Sequence, residues 1–103
     1  MGTYVVTSTI SPKFRKAHFE ALKPGGRLPE DIAPQVEAHL RYIKELSSTG
    51  KILAGGPTVA FTWGLSLIIA DSLEEAKSIA ENDPGVRAGL FTDLKVEPWY
   101  HMV

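Results

Sequence analysis

The chain is 103 residues long, 44% hydrophobic and 22% charged, with no cysteine; its 11 Lys and Arg nearly balance its 12 Asp and Glu, for a formal net charge of −1. That length gives one domain around one core, with no room for a second. The charge balance leaves no field for nucleic acid or an anionic membrane, and the lack of cysteine excludes disulfides, thiolate metal sites and a thiol nucleophile together, so a small molecule is the partner that fits.

In chain order, Thr3 to Ser8 is dense in β-branched and aromatic residues and predicts the first strand. No basic segment followed by a long apolar run precedes it, so no signal peptide is expected and the cytoplasm is the expected location. Ser11-Pro12 supplies an N-cap and a first-turn proline, with Phe14, Ala17, Ala21 and Leu22 at helical spacing up to Lys23. Pro24-Gly25-Gly26 ends that short helix, and a loop rich in proline and glycine leads to Pro34. A long helix then runs from Pro34 to Thr49 and stops at Gly50.

Wound at 100° per residue, the long helix gathers Val36, Leu40, Ile43, Leu46 and the ring of Tyr42 on one arc. Glu37, Arg41, Lys44 and Glu45 form the opposite, solvated arc. His39 falls inside the apolar arc. A polar ring turned toward a core must find a partner, since burying it unpaired costs on the order of 1–3 kcal/mol.

Lys51 to Ala54 restarts a strand, broken by Gly55-Gly56-Pro57, with a resumption at Thr58 to Phe61 before a turn near Trp63-Gly64. Leu65 to Asp71 forms the third strand, and Ser72-Leu73-Glu74-Glu75 has capping-box spacing ahead of a helix that turns Leu73, Ala76, Ile79 and Ala80 inward. Asp83-Pro84 closes it, and Phe91 to Trp99 alternates as the last strand. The longest apolar run, Leu65 to Ala70, is interrupted by Ser66 and far too short to cross a bilayer.

Strand, helix, strand, strand, helix, strand, with a helical insertion around residues 11–33, is the ferredoxin-like split βαβ pattern of the α+β class. Both helices then cover one face of a four-stranded antiparallel sheet. The third strand is apolar on both sides, through Leu65, Leu67 and Ile69 on one and Ile68 and Ala70 on the other. A second copy of the chain is the expected cover for the open face, giving a homodimer.

Asp83, just past the second main helix, is the candidate partner for His39: its carboxylate accepts from one ring nitrogen and leaves the other as a general base. Two plainer roles stay open, an Asp-Pro N-cap for a helical turn through Arg87 and a core histidine bonded to a backbone carbonyl. Gly55, Gly56 and Pro57 admit either a closely approaching ligand or a simple bulge. Neither GxGxxG nor GxxxxGK[ST] appears, so nucleotide binding is not expected. Tyr42 and Trp99 are further candidate substrate contacts, although Trp63, Phe91, Trp99 and Tyr100 would serve equally as core or interface. His18 and His101 are remote from His39 in sequence and no ligand spacing is present, so neither metal nor cofactor is expected.

The run His39-Leu40-Arg41-Tyr42-Ile43, then Leu46 and Gly50 through Pro57, resembles the YciI-like (YCII-related) family. So do Gly64 ahead of a strand, Ser72 to Ala76 opening a helix, Asp83-Pro84, and Val96 to Trp99. The resemblance covers residues 34–100 and implies a subunit that dimerises into an α+β barrel, related in fold to muconolactone isomerases. It also implies that His39 and Asp83 correspond to a proposed active-site dyad, and one branch is similar to dehydrochlorinases acting on chlorinated hydroxyquinols. The longer segment between Ser11 and Pro34 departs from the family and is expected to reshape the pocket mouth. The expected function is cofactor-independent proton transfer of lyase or isomerase type on a small molecule. A noncatalytic ligand-binding or accessory subunit, or an oxygenase of the same superfold, is the alternative.

Overall fold

A computed structural model describes the whole chain, Met1–Val103. The elements are β1 (Gly2–Ile10), α1 (Pro12–Ala21), α2 (Ala33–Ser48), β2 (Ile52–Pro57), β3 (Trp63–Ala70), α3 (Leu73–Glu81), α4 (Pro84–Arg87) and β4 (Phe91–Pro98). The strands form one antiparallel sheet in the order β2-β3-β1-β4, the ferredoxin-like arrangement that the element order predicts. No helix is long and apolar enough to cross a membrane.

Local signals explain most boundaries. The Ser11 hydroxyl accepts the Phe14 N–H at 3.2 Å to open α1, and Ser72 does the same for Glu75 at 3.1 Å to open α3. Glu74 and Glu75 in the first turn of α3 complement its dipole. At α2 no side chain caps the start, and Pro34 in the first turn sets the entry.

Period-two alternation divides the sheet. Register aligns Val6 with Ser66 and Val96 on the helix-covered face, and Val5 with Leu67 and Glu97 on the other. The covered side holds two clusters of buried residues. One joins Ile10, Phe14, Ala17, Ile32, Val36, Phe61 and Leu90, and the other joins Val6, Ile68, Ala70 and Ala76. The opposite face, with Thr3, Val5 and Thr7 of β1 against Ile69, Leu67 and Leu65 of β3, has no layer over it in the single chain.

Three expectations change. β2 does not break at the glycines but runs through Gly55 and Gly56 to Pro57, with a register shift between Ile52 and Ala54. As an edge strand it has only β3 to satisfy, so a terminal proline costs it little. Thr58 to Phe61 is a turn rather than resumed strand: Thr58 Oγ1 accepts the Thr62 N–H at 3.0 Å, and Phe61 takes a φ of 57° to bury its ring. Leu40, placed on the packing arc by periodicity, is 58% exposed, and Val36 is the one buried residue of α2. The long helix spans a hollow instead of sealing a core.

Candidate functional site

That hollow is a cavity of about 670 Å³ whose walls draw on both buried clusters, with 21 of its 31 lining residues hydrophobic. A mostly apolar space with few polar groups is the usual form of a small-molecule site. The polar groups are therefore the informative ones.

Asp83 joins three elements. It follows α3, caps α4 and meets α2. Its Oδ1 accepts the Gly85 N–H at 2.8 Å, and both carboxylate oxygens lie 2.8 Å from His39 Nδ1. The cap and the histidine partner are thus the same side chain, and a carboxylate takes the place of the backbone carbonyl left open for His39. An ionised carboxylate only accepts, so Nδ1 carries the hydrogen and Nε2 of the neutral ring keeps its lone pair. The side chains are 19% and 10% exposed, dry enough to strengthen the bond and open enough to be reached.

The contact depends on a residue that sequence patterning did not single out. A Cβ at Gly85 would lie 2.6 Å from Phe91 Cε2 and 3.2 Å from His39 Nδ1. Phe91 in turn packs on the imidazole, ring centres 4.7 Å apart. The signal was the third letter of Asp83-Pro84-Gly85, read only as a turn.

Tyr42 lines the cavity, but its hydroxyl donates to Ile79 O at 2.7 Å and ties α2 to α3. Burial pushes its pKa above the usual 10.0, the Asp83 carboxylate adds to this, and Arg87 opposes it. Because the folded state holds this proton more tightly, the associated stability is present below pH 10.0 and is lost as pH rises through the folded value. Tyr42→Phe is expected to flatten the alkaline fall in urea-unfolding stability, while costing about 0.5–1.5 kcal/mol at neutral pH. An unchanged alkaline slope would count against this account.

Gly55, Gly56 and Pro57 lie in the cavity wall on β2. A Cβ at Gly55 would sit 3.1 Å from Ser66 Cβ, so the close approach there is between β2 and β3, whereas nothing lies within 4 Å of that position at Gly56. Trp99 is outside the wall: it follows β4, donates its N–H to Thr3 O at 2.9 Å, and lies beside His101. The wall adds Ser8, Ser66 and His18, none proposed from sequence. Ser66, the polar break in an apolar strand, was the visible hint; His18 was set aside for its sequence distance. No three His, Asp or Glu side chains gather as a metal ligand set.

The YCII-related domain is matched over residues 4–100. The chain belongs to that family. An uncharacterised protein of Haemophilus influenzae is 32% identical over 73 residues, 61% of this chain and 74% of the relative. The uncharacterised protein YjpA of Bacillus subtilis is 28% identical over 99 residues, 96% of this chain and 95% of its own. Among solved structures, this YCII-related chain is similar to 5-chloro-2-hydroxyhydroquinone dehydrochlorinase (TftG) from Burkholderia phenoliruptrix AC1100, in complex with 2,5-dihydroxybenzoquinone. The TM-score is 0.68 at 27% identity, covering 96% of this chain and 94% of the other.

Proposed function

We propose that this YCII-related protein is a cofactor-independent enzyme, a cytoplasmic homodimer in which His39 moves a proton on a small cyclic or aromatic substrate and Asp83 orients it. One observation carries the reading. An imidazole fixed at Nδ1 by a buried carboxylate, with Nε2 unbonded, stands in the wall of a largely apolar cavity. Such a ring is pre-oriented, and the carboxylate stabilises the imidazolium that forms when Nε2 takes a proton.

Two reaction classes use that step. In an elimination, Nε2 takes a proton from a hydroxyl or acidic carbon, the freed electron pair forms a π bond, and a leaving group departs from the substrate with its own pair. In an isomerisation the same proton is returned to another carbon. Elimination is the first choice because the similar solved enzyme is named a dehydrochlorinase and was captured with an oxygenated six-membered ring. The direct test is chloride release from 5-chloro-2-hydroxyhydroquinone by the purified protein. Saturable release supports the reading, whereas binding without turnover of this compound and of a panel of chlorinated hydroxyquinols and small lactones moves the protein to the ligand-binding class.

The homodimer rests on the uncovered sheet face. Only 13 of 103 residues are buried in the single chain, and Trp63 and Leu65 remain exposed on that face. The apolar row that β3 leaves on this face, Trp63, Leu65, Leu67 and Ile69, is costly to leave in water, and a twofold copy presents the same strands to it. Leu67→Glu, in the middle of the face, is expected to halve the mass measured by light scattering while leaving the helical circular dichroism in place. A wild-type monomer at micromolar concentration would remove the dimer from the reading.

A further inference from the structure

His18 and His39 stand on one continuous line of rings. His39 packs on Phe91 at 4.7 Å, Phe91 meets Phe14 edge-on at 5.8 Å, and Phe14 meets Phe61 edge-on at 5.0 Å. His18 then stacks on Phe61, with centres 3.8 Å apart and planes 6° from parallel. Both imidazoles line the cavity. His39 is held by Asp83, whereas His18 makes no hydrogen bond to the protein and has no buried unpaired nitrogen.

The placement of His18 is firm. It lies four residues beyond Phe14 on the buried side of α1, which also carries Ala17. Arg15 Nε donates to Ala60 O at 3.0 Å, binding α1 to the turn that presents Phe61. Further bonds from Ile10 N–H to Thr62 O and from Ser11 N–H to Leu90 O fix both neighbours of the stack. A flat apolar ring would stack on Phe61 equally well, so the nitrogens contribute nothing to the fold. His18 lines the cavity and is only partly exposed, so a ligand packed against it displaces water from these nitrogens. Unless the ligand replaces the lost hydrogen bond, it binds with a penalty.

We propose that His18 is a second substrate-binding residue, one that hydrogen-bonds a hydroxyl, carbonyl or carboxylate oxygen remote from the bond at which His39 acts. Phe91, Phe14 and Phe61 join the two imidazoles along the cavity wall, so the ligand class that fits is a cyclic or aromatic molecule bearing oxygen. The His39 end of this assignment rests on the proton-transfer reading above; the His18 end rests on the stack and the unbonded nitrogens.

The probe is 2,5-dihydroxybenzoquinone, whose oxygens lie on opposite sides of its ring, added to protein labelled with ¹⁵N-histidine. Shifts are expected in the ring nitrogens of both His18 and His39. His18→Phe keeps the stack and removes the nitrogens, so Kd is expected to rise about ten- to a hundredfold while the His39 shift at saturation stays. His18→Gln retains a donor and an acceptor and should recover part of the affinity, which a purely packing role would not predict. A His39 response with no His18 response, and no change in Kd for His18→Phe, overturns the proposal and leaves the catalytic reading standing. A His18 response alone keeps the anchor and removes the proton-transfer reading, and silence at both rings overturns the two together.

Discussion

Replacing His39 by alanine is expected to lower kcat by about 10²–10⁴-fold, the usual contribution of one positioned general base. The expectation follows from the division of labour at the ring: Nδ1 is committed to Asp83 at 2.8 Å, so Nε2 is the nitrogen left for substrate. Asp83→Asn should cost less, since the amide oxygen can still accept from Gly85 and from Nδ1. What is lost is charge: a hydrogen bond to a charged group contributes about 1.5–3 kcal/mol against about 0.5–1.5 for a neutral one, a difference worth roughly tenfold. The loss should fall on kcat rather than KM, because imidazolium forms only as the proton moves. His39→Gln, similar in length and unable to act as a base, separates catalysis from packing against Phe91. Turnover within about twofold of wild type in His39→Gln would end the proton-transfer proposal.

The fold was legible because its signals were local and repeated. Ser72 with Glu75 announced α3, Ser11-Pro12 announced α1, the apolar run Leu65 to Ala70 placed β3, and the alternation along Phe91 to Trp99 placed β4. The Thr58 to Phe61 turn was not legible, because its composition suits a strand. The burial of Phe61 between Phe14 and His18 decides its conformation, and those partners are more than forty residues away. The same non-locality hid the exposure of Leu40. Periodicity identifies a helix face, but only the tertiary arrangement shows whether packed side chains or a cavity lies beneath it.

The site divides along the same line. His39 stood out as a polar ring on an apolar arc, and Asp83 as the end of the neighbouring helix, so their pairing could be inferred from element order. Tyr42 was placed on the correct face, yet its hydroxyl is engaged with Ile79 O, a partner that no spacing rule reveals. Trp99 was drawn in by its aromatic character and lies outside the wall, just past the end of β4, where its backbone N–H is bonded to Thr3 O. His18 came in through the insertion, whose direction relative to the sheet was not fixed by any local signal.

Gly85 offers the sharpest test of how tightly the pair is built. In an ordinary helical position, exchanging glycine for alanine stabilises by roughly 0.5–1 kcal/mol. At residue 85 the added Cβ would meet Phe91 Cε2 at 2.6 Å and Cδ2 at 3.0 Å, well inside the 3.5–4.0 Å of an ordinary carbon contact. Phe91 has little room to withdraw, since it stands against Phe14 at 5.8 Å and His39 at 4.7 Å. Overpacking of this kind costs about 1–3 kcal/mol, which exceeds the propensity gain and makes the substitution destabilising. Each net kcal/mol should lower Tm by about 4–8 °C in a domain this size. Because the same Cβ lies 3.2 Å from His39 Nδ1, kcat should fall as well, through displacement of the ring from Asp83. Phe91→Leu in the Gly85→Ala background gives up the ring that collides, so the double variant should be more stable than the sum of the two single changes predicts. A rise in Tm for Gly85→Ala alone, as a plain helix exchange would give, would show that Phe91 and His39 are free to move and that the pair is not held as tightly as the distances state.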